Sequence, residues 1–360
     1  MTLTLPTPRD EAWRWSDLSG LPALADQTPT GHAPDPSAYW IGTDGPRLLF
    51  VDGIPVPQPT GTTGLTLGPV ATSSDHLLGR LTTGHDGWTL TLDAGHAAPQ
   101  IEIVHIATGG ANHLPARIVL GEDAQASIVE TFVGDGWANR LTDIRLDRSA
   151  RLMRHVRLMQ TSGFTALRET ATLAQGASLI AAILAIGDAG TRIDGALTLD
   201  GDQAYAEYGG ALLARGEQRH DAAIAVRHAA LNGTSRQLWR AVADDRAVAS
   251  LAARVEVARG AQKTDGEQSL RGLLLRRTAT INLKPELEIF ADDVKCAHGA
   301  TVGELDAQAL WYLASRGVPP QAARALLTRA FVGDAFDRIG VEAVRDAFRA
   351  NADAWLGAEA

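Results

Sequence analysis

Cysteine is almost missing from this chain: Cys296 stands alone. An internal disulfide is therefore impossible, which suits a reducing compartment and predicts a cytoplasmic protein. Aromatic residues make up only 5% of the sequence, so aliphatic and small side chains must build most of any core. No run of about eighteen apolar residues occurs, so no membrane-spanning helix is expected. The first residues hold no basic stretch followed by an apolar one, so no secretion signal is expected either. Positive charge is in deficit, with 33 Lys and Arg against 42 Asp and Glu and a net charge of −9. That balance argues against nucleic acid as a partner, because polyanion binders cluster Lys and Arg. Several motifs are absent too: the Walker A loop, Gly-x-Gly-x-x-Gly, Cys-x-x-Cys, Gly-x-Ser-x-Gly and His-Glu-x-x-His. The chain is therefore not expected to hydrolyse ATP or to hold a metal cluster unaided.

What is present is repetition. From about residue 88 short β-branched or leucine-rich triplets recur between turns, among them Leu90–Leu92, Ile101–Ile103, Ile118–Leu120, Ile144–Leu146 and Leu197–Leu199. Aligning the turns on Ala97, Ala124, Ala150, Ala177 and Ala204 gives intervals of 27, 26, 27 and 27 residues, with Ala261 a further 57 on. A fixed period of this length indicates a solenoid, whose units bury their apolar faces only by stacking. Short strands favour a right-handed parallel β-helix, and the small alanines suit a narrow interior. An ordinary β-sandwich is the alternative. The fold class expected is mainly β, with the β-helix at 81–302, a small α/β region at 1–80 and a helical domain at 303–360.

Before the repeat, Thr7-Pro8-Arg9-Asp10 reads as the start of an amphipathic helix running two turns or so past Trp13 and Trp15. Arg47–Gly53 reads as a strand ending in a turn, and Pro55–Gly64 as a loop. After the repeat, Asp306–Arg316 reads as a helix stopped by Gly317, and Pro319-Pro320 open a second helix through Phe336. A third helix from about Val341 places Val344, Phe348 and Trp355 near one face. Within the late repeats His220 and His228 read as core or surface histidines. The runs Asn232–Gln237 and Gln262–Gln268 could be functional, as could the two histidines, but they read first as corners whose side chains satisfy turn backbone.

The chemically suggestive pair is Cys296 and His298. In an extended strand residues i and i+2 leave the same face, so a thiolate and an imidazole can address one object. Both suit iron, zinc or an iron–sulfur centre, yet two ligands leave a tetrahedral site half built. A second chain is the expected source of the rest.

The stretch around that pair, Ala291-Asp292-Asp293-Val294-Lys295-Cys296-Ala297-His298-Gly299-Ala300-Thr301-Val302-Gly303 followed by Tyr312–Gly317, resembles the SufB/SufD family, and its SufD branch in particular. The Trp13-Arg14-Trp15 region and the Gln262-Lys263-Thr264-Asp265 run are similar to that family as well. Leu231-Asn232-Gly233 departs from its usual pattern, which places any ligand role for that corner in doubt. The resemblance implies a non-catalytic subunit of the SufBCD iron–sulfur cluster assembly machine. It implies pairing with a SufB-like paralogue through the end of the β-helix, and docking of a SufC-like ABC ATPase on the helical tail. It also implies a role for His298, and more weakly Cys296, toward transient iron or a nascent cluster at the subunit interface, with no cofactor held tightly by the isolated chain. Two readings stand beside it: a β-helix enzyme acting on polysaccharide, and a purely structural homodimer without a metal role.

Overall fold

The computed structural model describes residues 5–57, 64–74 and 76–357; most of the Pro55–Gly64 segment and the first four residues lie outside them. Strands dominate and form a parallel β-solenoid of about eight turns. Each coil gives one strand to each of two parallel ladders. The first ladder runs through Arg47–Val51, the opening halves of Ala97–Leu120 and Gln125–Leu146, then Arg151–Leu158, Ser178–Ala185, Tyr205–Ala214, Thr234–Ala243, Asp265–Leu274 and Lys295–Glu304. The second takes the closing halves of the two long strands, then Phe164–Leu173, Gly190–Leu199, Arg219–His228, Val248–Val257 and Thr280–Ile289.

The recurrent alanines mark one corner of the coil. Ala124, Ala150, Ala177 and Ala204 are fully buried there, each preceded by a residue with positive φ: Asp123, Ser149, Gly176 and Gln203. Non-glycine residues take this conformation at a cost. Here each N–H donates to a carbonyl of the next coil, as from Ser149 to Gln175 at 2.9 Å and from Gln203 to Leu231 at 2.9 Å, so the ladder continues around the bend. The corner then passes to Gly233 and Thr264 rather than to Ala261. First-ladder strands lengthen from 8 residues in Ser178–Ala185 to 10 in Tyr205–Ala214, and the turn between Val257 and Asp265 is longer than its predecessors.

Inside the coil, side chains stack in register. Leu120, Leu146, Leu173 and Leu199 form one such column, each essentially inaccessible to solvent. Burying a leucine contributes about 1.5–3 kcal/mol, so the column is a main source of coil-to-coil cohesion. Polar groups also enter. Glu130 and Glu169 flank Arg154, Glu130 accepts from His105 at 2.7 Å, and Tyr208 donates to Glu169 at 2.6 Å. The His105 ring is stacked between Phe50 and Phe132.

Both outer faces are partly covered. The helices Pro320–Gly333 and Glu342–Trp355 lay Val332, Val344, Phe348 and Trp355 against Val129, Leu184, Leu213 and Val242 of the first ladder. The helix Ala307–Ser315, capped by the Asp306 carboxylate and ended at Gly317 with φ +80°, buries no residue. The amino-terminal segment crosses the second ladder. Instead of the expected two-turn helix it forms one 3₁₀ turn, Glu11–Trp13. The Ala12 carbonyl, which an α-helix would use for Ser16, accepts from Arg192 at 2.8 Å, while the Ser16 N–H goes to Trp13 at 3.0 Å. Arg192 also lies 4.6 Å from the centre of the Trp13 ring. Tertiary contacts to the sheet outweigh the local helix signals.

Candidate functional site: the open mouth of the solenoid

The two ladders end on Thr280–Ile289 and Lys295–Glu304, and each of these strands pairs on one side only. Among the described residues no further strand lies beyond them. An unpaired edge of backbone N–H and C=O groups is a template for another chain. Ile289, Phe290 and Val302 leave large apolar surfaces exposed beside it. At Gly299 and Gly303 a Cβ would meet open space, so backbone could approach closely there.

Cys296 and His298 sit on this last strand. Cys296 pairs in register with Gly266, and His298 with Gln268. Because Gln268 and Leu270 point into the buried interior, the alternation of the strand turns Cys296 and His298 toward the lumen as well. The sequence-level inference that the two share a face agrees with this register. His298 is nonetheless exposed and Cys296 half-buried, because among the described residues no further coil covers them.

Burial pushes the Cys296 thiol above its ordinary value, and the nearby Asp265 carboxylate adds to the effect against a hydrogen bond from the Gly266 backbone. A raised value favours the protonated thiol, whereas metal ligation needs the thiolate. Among the described residues no group of three or more His, Cys, Asp or Glu side chains is placed to hold a metal ion. The mouth thus offers one exposed imidazole and one thiol at its rim.

His220 and His228 lie in the interior. His220 bonds Thr191, and His228 Nε2 lies 2.8 Å from Ser235 Oγ; burial lowers both to about 4. Gln262 and Thr264 serve the corner backbone, Thr264 donating to Ala261 O at 2.9 Å and Gln262 accepting from Asp293 N at 2.9 Å. The same runs hold residues with a different placement. Ser235, Gln237 and Gln268 are on strands, point inward and are buried. The signal that finds them is the strand alternation counted from the corner, which the turn-rich composition of these runs obscures.

Comparison with known proteins bears on this site. The family model described as SUF system FeS cluster assembly, SufBD core domain, matches residues 105–331. The iron–sulfur cluster assembly protein SufD of Escherichia coli is 27% identical over 369 residues, covering 95% of this chain and 86% of that protein. A SufBD family protein of Synechocystis is 27% identical over 396 residues, covering 97% of this chain and 87% of the relative. A chloroplastic Arabidopsis thaliana protein, ABCI7, is 40% identical over 118 residues, 32% of this chain and 25% of its own.

Proposed function

Because the chain belongs to the SufBD family of iron–sulfur cluster assembly proteins, we propose that it acts as the SufD-type subunit of a SufBCD-like scaffold. In this reading a SufB-like paralogue adds to the open edges of Thr280–Ile289 and Lys295–Glu304 and closes the mouth. His298 then meets ligands from the paralogue and takes part in receiving iron and forming the cluster there. Cys296 is a second candidate ligand once its proton is displaced. The exposed helix Ala307–Ser315 docks a SufC-like ATPase, whose motion opens and closes the shared interface. The chain itself supplies no catalytic group in this scheme.

The observation that carries the proposal is the position of His298, inward-facing yet exposed on the last strand of an uncapped solenoid. It matches the sequence argument that half a coordination sphere needs a second chain. The test is His298→Ala in the complex co-expressed with the paralogue and the ATPase, followed by iron and sulfide analysis. Loss of iron with an intact complex is expected; iron content equal to the unaltered complex rejects the ligand role. A homodimer without a metal role would also retain its iron-free composition in both forms.

A further inference from the structure

Directly beneath His298, one coil down in the same register column, lies Gln268. It is 1% exposed, and neither Nε2 nor Oε1 of its amide has a hydrogen-bond partner. One coil deeper, Gln237 is equally buried; its Nε2 donates to Arg254 O at 3.0 Å, while its Oε1 is unpartnered. Buried polar groups are almost always paired, and an amide left without a partner marks a place where a water, an ion or a ligand belongs. Other buried polar atoms also lack partners, among them both amide atoms of Asn112 and the Trp88 and Trp239 indole nitrogens; what distinguishes Gln268 is its place in the column that ends on His298. The unmet amide stands immediately below the exposed imidazole.

We propose that Gln268 is a binding residue of the mouth. Its Nε2–H donates to a small acceptor, sulfide or water, that accompanies a ferrous ion on His298, and its Oε1 accepts from a protonated form of the same group. This inference rests on the reading of His298 given above and extends it inward by one coil. The geometry favours a ligand contact over a structural amide ladder. A ladder would pair Gln237 with Gln268, and the two amides make no such bond.

The test uses Gln268→Met, which keeps length and removes both polar atoms, beside His298→Ala, in the complex with the paralogue and the ATPase. Ferrous ion alone and ferrous ion with sulfide are titrated anaerobically, and thermal unfolding of the metal-free chain is measured in parallel. Groups that orient or contact metal-bound species typically cost about tenfold or more in affinity when removed. The expected result is a loss of about tenfold for Gln268→Met with unfolding no earlier than in the unaltered chain. Loss in the iron-only titration assigns the acceptor to water; loss only with sulfide assigns it to sulfide. Unchanged affinity in both titrations overturns the inference, and so does a loss accompanied by earlier unfolding, which is the mark of a structural ladder. If His298→Ala loses iron while Gln268→Met does not, only this inference falls. If His298→Ala binds normally, the reading of His298 falls and takes this one with it.

Discussion

Acid should unfold this protein well above the range where its carboxylates titrate. His105, His155, His220 and His228 are each no more than 2% exposed. Burial holds His105, His220 and His228 down to about 4, and burial together with the neighbouring Arg154 charge holds His155 to about 3. In the unfolded chain each imidazole returns to about 6.5. As pH falls below that value the unfolded state binds protons that the native state refuses, so native stability is lost. At pH 5.5 each group has withdrawn about 1.4 kcal/mol, and four together roughly 5–6 kcal/mol. A typical domain has only about 5–15 kcal/mol in total. The paired carboxylates of Glu130 and Asp194, held at about 2, act with the opposite timing. Their stabilisation is complete above the ordinary carboxylate range and is lost only below it. Urea unfolding followed by far-UV circular dichroism at pH 7.5, 6.5 and 5.5 measures the effect. A free energy constant to within about 1 kcal/mol across that range would refute the reasoning. His155 provides the control. Both its ring nitrogens are unpartnered, and it lies edge-on to Phe348 beneath the last helix. His155→Leu should reduce the pH dependence by about a quarter.

Other outcomes follow from single residues. Arg154→Met leaves Glu130 and Glu169 buried without their cation and should cost about 3–5 kcal/mol, whereas replacing all three by apolar or amide residues should recover most of it; chemical denaturation compares the two. Trp311 is 73% exposed on a helix that buries nothing. Trp311→Asp should leave stability within about 0.5 kcal/mol while abolishing co-purification with the proposed SufC-like partner, and undiminished co-purification removes the docking proposal. At Gly163, φ is +89° and a Cβ would stand 2.1 Å from Gly136 O. Gly163→Ala should therefore destabilise by more than about 1 kcal/mol in the same denaturation assay.

The period of the solenoid was readable because four successive coils, at Ala124, Ala150, Ala177 and Ala204, repeat the same corner demand: a residue able to take positive φ, then one small enough to be enclosed. Ala97, the first of the series, is exposed and stands two residues after the positive-φ Gly95. Asp123-Ala124, Ser149-Ala150 and Gln203-Ala204 state that demand in the sequence itself. The late coils were harder. There Gly233 and Thr264 occupy the alanine position, and longer strands shift the spacing. Cys296 and His298 were legible as a pair from strand alternation alone. Gln237 and Gln268 stood in runs that could be functional but read first as corners, because neighbours such as Gln262 and Thr264 do serve corner backbone. The lumen network of His105, Glu130, Arg154, Glu169 and Tyr208 was invisible for another reason. Its members come from five different strands, and no local pattern ties them together until the coils stack. The amino-terminal segment carried genuine helix-start residues, and it lost its helix to Arg192, a residue some 180 positions away.

The two ends of the solenoid are built differently, and the difference bears on what the last coil is for. At the first end the ladders finish on antiparallel strands, Ile54–Val56 against Arg47–Val51 and Leu65–Pro69 against Asp86–Leu92. At the other end nothing comparable follows Lys295–Glu304 among the described residues, and edges left open in this way invite association. The interior is polar in its middle coils as well, but there the charges are met: Arg154 lies between Glu130 and Glu169. In the last coils the column through Gln237 and Gln268 to His298 leaves amide atoms without partners, and each unpaired amide costs about 1–3 kcal/mol until something meets it. In the proposed scaffold Cys296, whose thiol burial and the Asp265 carboxylate push up, joins a metal only by giving up its proton.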